Sequence, residues 1–325
     1  MCTAIHFTPH GKYFGRNLDL EYHYNEEVTV TPRGFDFKFK APVRYSSRYA
    51  IIGMATSVDG YPLYYDAANE KGLSMAGLNF PGNAVYNPEC QGFYNIAPFE
   101  FIPFILSQCA DMTEAMDLLG KINLIDRNFN QKYPLTPLHW MIADRHRSVT
   151  VEPLKDGLKI YENKIGVLTN NPPFEFHLQN LCNYSHLSNS TPSNHFATPL
   201  TPYSKGLGAF GLPGDGSSLS RFVRAAFHKS NAVCEHAKEA EVNQFFHILG
   251  VVEQPRGAVR CDDGTYHITV YSSCCDLETG VYYYTTYENR KITGVDLFAE
   301  NLDGTEIISY SIISKRPIEI INSKN

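Results

Sequence analysis

Cys2 is the residue of this chain whose position, more than its type, suggests chemistry. A small residue after Met1 permits removal of the initiator methionine, which leaves one residue carrying both a thiol and a free α-amine. Such an amine has an ordinary pKa of about 7.7–8.0, far closer to neutrality than a lysine. It can take the thiol proton and later hand one to a leaving amine, so a single residue supplies nucleophile and base. The plainer alternative is a small residue opening a strand. Arg16-Asn17-Leu18-Asp19 lies one hairpin away. If residues 4–8 and 13–16 pair across a turn at 9–11, Arg16 and Asp19 return to the end bearing Cys2. There Arg16 would favour thiolate and Asp19 would hold the ammonium or amine. Elsewhere the two would form a surface ion pair of little consequence.

Other constellations carry less. The 12 histidines include no HExxH and no His/Cys set at ligand spacing, so no metal is expected. Gly72-Leu73-Ser74-Met75-Ala76 approaches a serine nucleophile elbow but ends on Ala and falls where a strand is expected, which makes Ser74 a sheet residue. The glycine-rich stretch 211–216 lacks the Lys-Ser/Thr of a phosphate loop. It reads as a turn positioning a helix that carries Arg221 and Arg224. Cysteines fall at 2, 90, 109, 182, 234, 261, 274 and 275, with no CxxC, and a disulfide between adjacent Cys274 and Cys275 would be strained. Most are expected to be buried, reduced thiols, in keeping with a cytoplasmic protein.

The elements that must position these residues follow from patterning. Beyond the first hairpin, residues 27–32 and 49–56 read as strands, the second a continuous apolar run suited to a covered sheet, and 70–80 reads as a turn and another buried strand. Apolar residues at helical spacing mark helices over 98–109 and 112–122, with Asp111 and Thr113 as candidate caps. Strands resume at 138–143, 148–152, 158–161 and 166–169. Residues 185–208, rich in Ser, Thr, Pro, Asn and Gly, read as a long surface loop. Ser217 or Ser218 caps a helix with Leu219, Phe222, Val223, Ala226 and Phe227 on one face, and Val242, Phe245, Phe246 and Leu249 mark another. Strands at 266–272, 280–286 and 291–297 close the chain. Neither repeat nor linker divides it. One α+β domain over 1–325, two sheets covered by helices, is the expectation.

Composition narrows the function classes. Hydrophobic residues at 43% against 19% charged argue for a globular core, not disorder. A net charge of −6 with no dense Lys/Arg run leaves no footprint for nucleic acid. Polar residues such as His6, His10, Lys12 and Arg16 interrupt any signal peptide, and no apolar run nears the roughly 20 residues of a membrane span. Neither export nor a membrane partner is expected.

Six segments then stand out together, in this order: Cys2-Thr3-Ala4, Gly15-Arg16-Asn17-Leu18-Asp19, Asn69-Glu70-Lys71-Gly72-Leu73, Gly77-Leu78-Asn79-Phe80-Pro81, Leu168-Thr169-Asn170-Asn171-Pro172 and Ser220-Arg221-Phe222. They resemble the choloylglycine hydrolase family, and within it the bile salt hydrolases, from Cys2 to at least Leu302. The resemblance implies the four-layered αββα fold of N-terminal-nucleophile hydrolases and amide hydrolysis with no cofactor. By matched motif it implies Cys2 as nucleophile and base, Arg16 against the thiol, Asp19 orienting the α-amine, Asn79 and Asn170 stabilising the oxyanion, and Arg221 completing the polar network. Without it, Asn79 and Asn170 read as turn residues at strand ends. Penicillin V acylases resemble a Tyr-bearing pattern where Asn79 stands, so the resemblance leans towards glycine- or taurine-conjugated bile salts as substrate. By matched segments Leu18, Leu20, Tyr22, Val58 and Tyr65 would line an apolar steroid pocket, although each reads equally well as core. A homotetramer is also implied. The alternatives are an acylase for penicillin V or acyl homoserine lactones, and an inert bile-acid-binding protein.

Overall fold

A computed structural model describes residues 1–39, 46–195 and 200–322. The expected first hairpin forms: β1 (Cys2–Phe7) pairs antiparallel with β2 (Tyr13–Leu20), with Cys2 opposite Leu18 and Ala4 opposite Arg16. The second strand runs four residues further than 13–16, so Asp19 is a strand residue. Then follow β3 (Glu27–Thr31), β4 (Ile51–Val58), β5 (Tyr61–Asn69), β6 (Ser74–Asn79) and β7 (Tyr94–Ile96). Helices α1 (Pro98–Gln108) and α2 (Met112–Leu119) precede β8 (Ile122–Leu124), β9 (Leu138–Ala143), β10 (Ser148–Leu154), β11 (Gly157–Glu162) and β12 (Val167–Leu168). Three helices come next, α3 (Phe174–Leu181), α4 (Ser218–Ser230) and α5 (Lys238–Gly250). The chain ends on β13 (Ile268–Asp276), β14 (Val281–Thr286), β15 (Asn289–Asp296) and β16 (Ile308–Ser311).

Two large antiparallel sheets result, ordered β12-β1-β2-β13-β14-β15 and β11-β10-β9-β6-β5-β4-β3-β16, with a small parallel pair of β7 and β8. The two-residue period of a strand sends its side chains to two different cores. On β9, Trp140 and Ile142 pack beneath α1 and α2, while Met141 and Ala143 face the smaller sheet. Phe101 of α1 meets the Trp140 ring edge-on at 4.7 Å. Helices α4 and α5 cover the other side of the smaller sheet through Phe222, Ala225, Phe245 and Ile248. The architecture is α+β, layered helix, sheet, sheet, helix.

Several elements were not legible in the pattern. Strand β5 carries Pro62, which argues against an interior strand. It is tolerated because β6 pairs only with Asp66–Ala68, leaving the Pro62 end of β5 with one neighbour. Strands β7, β8 and β16 and helix α3 are too short or too polar to announce themselves. In α4 the buried face is Ser220–Val223 and Ala225, whereas Leu219 and Phe227 are only half-buried. A buried arginine rotates the helix away from its apolar stripe. Asp111 caps α2 and Ser217 caps α4, but Thr113 donates to Asp111 and caps nothing. The described parts of 185–208 carry no strand, and 196–199 lie outside the described residues. All eight cysteines are free; four are buried, fewer than expected, and Cys90 and Cys182 are exposed. Among the described residues no helix is long and apolar enough to cross a membrane.

Candidate active site

Strand alternation sorts the residues around Cys2 onto two faces. Arg16, Leu18 and Leu20 share one face of β2, and Cys2, paired with Leu18, lines the same cavity. Asn17 and Asp19 take the opposite face, towards α4 and α5. Cys2 is 3% exposed, and Arg16 and Asp19 are both fully buried, which excludes the surface ion pair.

Arg16 occupies the gap where β5 and β6 separate. Nη1 donates to the carbonyl oxygens of Tyr65 and Gly77, and Nε donates to Asn17 O at 3.3 Å. Nη2 is buried without a partner. Beneath lies Asp66, which accepts from the hydroxyls of Tyr271, Tyr282 and Ser273. Burial opposes charge on Arg16, yet Cys2, Tyr271, Asp66 and Asp19 outweigh it and raise its pKa. Burial raises the Asp66 carboxyl despite Arg16 and its three hydroxyl donors. Gly15 has no room for a side chain, since a Cβ there would lie 2.0 Å from Ser273 O on β13.

A second network holds the main chain of Cys2. Met1 is attached in this structure, its amino group donating to Asp19 O at 2.7 Å while Asp19 N donates to Met1 O at 3.0 Å. The Cys2 N–H donates to Asn170 Oδ1 at 2.7 Å. Arg221, fully buried on α4, donates from Nη2 to the same oxygen at 2.7 Å, and from Nη1 to Cys2 O and Thr3 Oγ1. Asn170 Nδ2 donates to Asn79 O at 2.8 Å, and one of its two hydrogens remains. Asn79 lines the cavity, with its Oδ1 buried and unpartnered. Burial lowers the Arg221 pKa against the pull of Asp19 and Cys2.

Asp19 faces this network from β2. A bulge at Thr269/Tyr271 on β13 turns Thr269 towards it, and the hydroxyl donates to Asp19 Oδ1 at 2.6 Å. Asp19 Oδ2 is buried without a partner. Burial raises the Asp19 pKa, opposed by Arg221, the chain's amino group, Thr269 and Arg16. Further out, buried His139 bridges Glu152 Oε1 at 3.0 Å and Thr169 O at 2.8 Å, fixing the strand end that presents Asn170. His177 Nε2 donates to Asn170 O at 2.9 Å.

The cavity lined by Cys2 has a volume of about 470 Å³, within the range of ligand sites. Leu18, Leu20 and Tyr65 line it, as the matched segments suggested. Tyr22 and Val58 do not. Tyr22 lies beyond the end of β2, half exposed with its ring 5.1 Å from that of Tyr24, and Val58 sits at the β4–β5 turn, opposite Tyr61. The walls that sequence reading missed come from α1 (Pro98, Phe99, Ile102), from Leu63 and Leu138, and from the loop bearing Phe129, Lys132, Tyr133 and Leu135. Glu21 and His267 also line it. Asp66, Thr269, Tyr271 and Tyr282 were missed as well. Their only signal was an Asp within a strand-like run.

Residues 2–310 match the family profile of linear amide C–N hydrolases, choloylglycine hydrolase family. The chain is 51% identical over 324 residues to a bile salt hydrolase/transferase of Lactiplantibacillus plantarum, covering 99% of this chain and 100% of that one. A bile salt hydrolase/transferase of Clostridium perfringens is 39% identical, with 99% and 100% covered. A crystal structure of a conjugated bile acid hydrolase variant from Clostridium perfringens superposes with a TM-score of 0.91 at 37% identity, over 99% of this chain and 100% of that one. Penicillin V acylase from Agrobacterium tumefaciens shares the fold, with a TM-score of 0.76 at 18% identity over 96% and 91%. With its profile matched from Cys2 onwards and its fold shared, the chain belongs to the choloylglycine hydrolase family of linear amide C–N hydrolases.

Proposed function

We propose that this chain hydrolyses the amide of glycine- or taurine-conjugated bile salts, with Cys2 as nucleophile once Met1 is removed. The observation that carries the reading is the buried Cys2 in the wall of a largely apolar cavity, its main-chain nitrogen held by Asn170 Oδ1. Loss of Met1 turns that nitrogen into an amine without moving its acceptor. The amine takes the thiol proton, and the sulfur attacks the amide carbon beside the charge of Arg16. The resulting oxyanion is met by Asn79 and by the remaining Nδ2 hydrogen of Asn170, amide donors that do not ionise. Asp19, through its unpartnered oxygen, holds the ammonium, which protonates the departing glycine or taurine. Water then attacks the thioester, its proton passing to the Cys2 amine, and the free bile acid leaves. Arg221 fixes the Cys2 carbonyl and Asn170 as one unit. Relatives named hydrolase/transferase support a variant of the last step, in which an acceptor other than water takes the acyl group from the thioester.

Leu18, Leu20 and Tyr65 contact the steroid in this reading. We read residues 1–325 as one domain, located in the cytoplasm and assembled as a homotetramer; these rest on the sequence and the family resemblance. The test compares release of amino acid from glycocholate and taurocholate with release of the side-chain acid from penicillin V, in the wild type and in Cys2→Ala. Turnover of the conjugates, lost in Cys2→Ala with an unchanged circular dichroism spectrum, supports the reading. Full activity in Cys2→Ala, or intact mass showing Met1 on fully active enzyme, overturns it.

A further inference from the structure

Three residues that no step above uses meet beside the same cavity, and two of them line it. Glu21 follows the last residue of β2, and His267 precedes the first residue of β13. Because Leu20 pairs with Ile268, the antiparallel register sets these two side by side, and His267 Nε2 lies 3.4 Å from Glu21 Oε2. Cys261 opens a tight turn, with its N–H bonded to Thr265 O at 2.9 Å and its carbonyl to Gly264 N at 3.0 Å, which returns the chain to His267. One carboxylate oxygen, one thiol sulfur and one imidazole nitrogen thereby all lie within 4.8 Å of one another. The second ring nitrogen of His267, Nδ1, is buried with no hydrogen-bond partner.

We propose that Glu21, Cys261 and His267 bind a thiophilic divalent cation of the Zn²⁺ type, and that the bound ion, held at the cavity wall, obstructs substrate binding. A sulfur, a nitrogen and an oxygen ligand with a fourth position open to water is a donor set zinc accepts, whereas magnesium and calcium prefer oxygen alone. On binding, the Cys261 thiol loses its proton to solvent, the sulfur–metal bond forms, and waters leave the ion. Glutamate and thiolate together neutralise its charge. Glu21 and His267 both line the cavity, so the ion would take up space at its wall. Cys261 itself is not a lining residue.

The binding test uses Cys2→Ala, so that the nucleophile cannot supply a ligand and the outcome does not depend on the hydrolase reading. Chelator-treated protein is titrated with Co²⁺, followed by its thiolate charge-transfer absorption, and with Zn²⁺ by equilibrium dialysis. One ion per chain is expected, with the absorption lost and zinc affinity reduced by about tenfold or more in Cys2→Ala/Cys261→Ser and again in Cys2→Ala/His267→Gln. In the active enzyme, which does rest on the proposed function, Zn²⁺ inhibits reversibly to chelator, and Cys261→Ser keeps its basal turnover while losing that sensitivity. Cobalt absorption and zinc affinity unchanged by either substitution overturn the site. Equal zinc inhibition of wild type and Cys261→Ser overturns its control of the cavity.

Discussion

The carbonyl of Gly77 on β6 accepts a hydrogen bond from Nη1 of Arg16 on β2, at the point where the β5–β6 ladder has stopped. That nitrogen also reaches Tyr65 O on β5, so one buried guanidinium satisfies carbonyls on both strands flanking the opening. The opening is the cavity wall beside Cys2. The residue read as a partner for the thiol therefore also bridges the parted strands at the cavity wall.

Replacing Arg16 by Met should accordingly damage fold and activity together. The buried carbonyls of Tyr65 and Gly77 would lose their donor and Asp66 the charge that opposes its burial, and an unsatisfied buried group typically costs about 1–3 kcal/mol. Urea denaturation should show a destabilisation of that order. An unchanged midpoint would mean that the three hydroxyls suffice for Asp66.

Asn170→Ala removes the acceptor of the Cys2 nitrogen, the partner of Arg221 Nη2 and a donor facing the cavity. The kcat for conjugate hydrolysis should drop by about 10²–10³, the usual cost of one lost oxyanion donor or more. KM should change much less. A loss confined to KM would assign Asn170 to binding instead.

Thr269→Val deletes the hydroxyl that donates to Asp19 Oδ1 and so removes a contact that lowers the Asp19 pKa, already raised by burial. The carboxyl then protonates at higher pH. If Asp19 must be ionised to hold the ammonium, the acidic limb of the pH–kcat profile moves upwards in Thr269→Val. An unmoved limb would remove Asp19 from the titrating groups.

Acid should loosen the fold in part through two buried histidines. Burial, as the main cause, lowers His6 and His177 from 6.5 to about 4. Each is neutral in the folded chain where the unfolded chain would bind a proton. Their contribution is therefore complete above pH 6.5 and is lost as pH falls towards 4, about 3 kcal/mol for each. Urea midpoints measured from pH 7.5 down to pH 4 should decline across that window. His177→Gln, which keeps a donor near Asn170 O, should flatten the decline by about half.

Sequence alone determined a good deal about this protein. The nucleophile candidate and its companions Arg16 and Asp19 lie within one hairpin, where local pairing across a short turn settles which ends meet. Asn79, Asn170 and Arg221 were legible through ordered motifs, and the layered α+β architecture through the alternation of strand and helix patterns. Only the tertiary structure decided which face each side chain serves. It put Arg16 on the thiol side of β2 and Asp19 on the other, and turned Arg221 inward against the apolar stripe of its own helix. It also excluded Tyr22 and Val58 from the cavity wall and brought in Phe129, Tyr133 and Ile102. Cys261 comes within 4.8 Å of Glu21 across some 240 residues of chain. Such choices depend on which strands become neighbours and where their ladders end, and those are properties of long-range pairing that no local pattern carries.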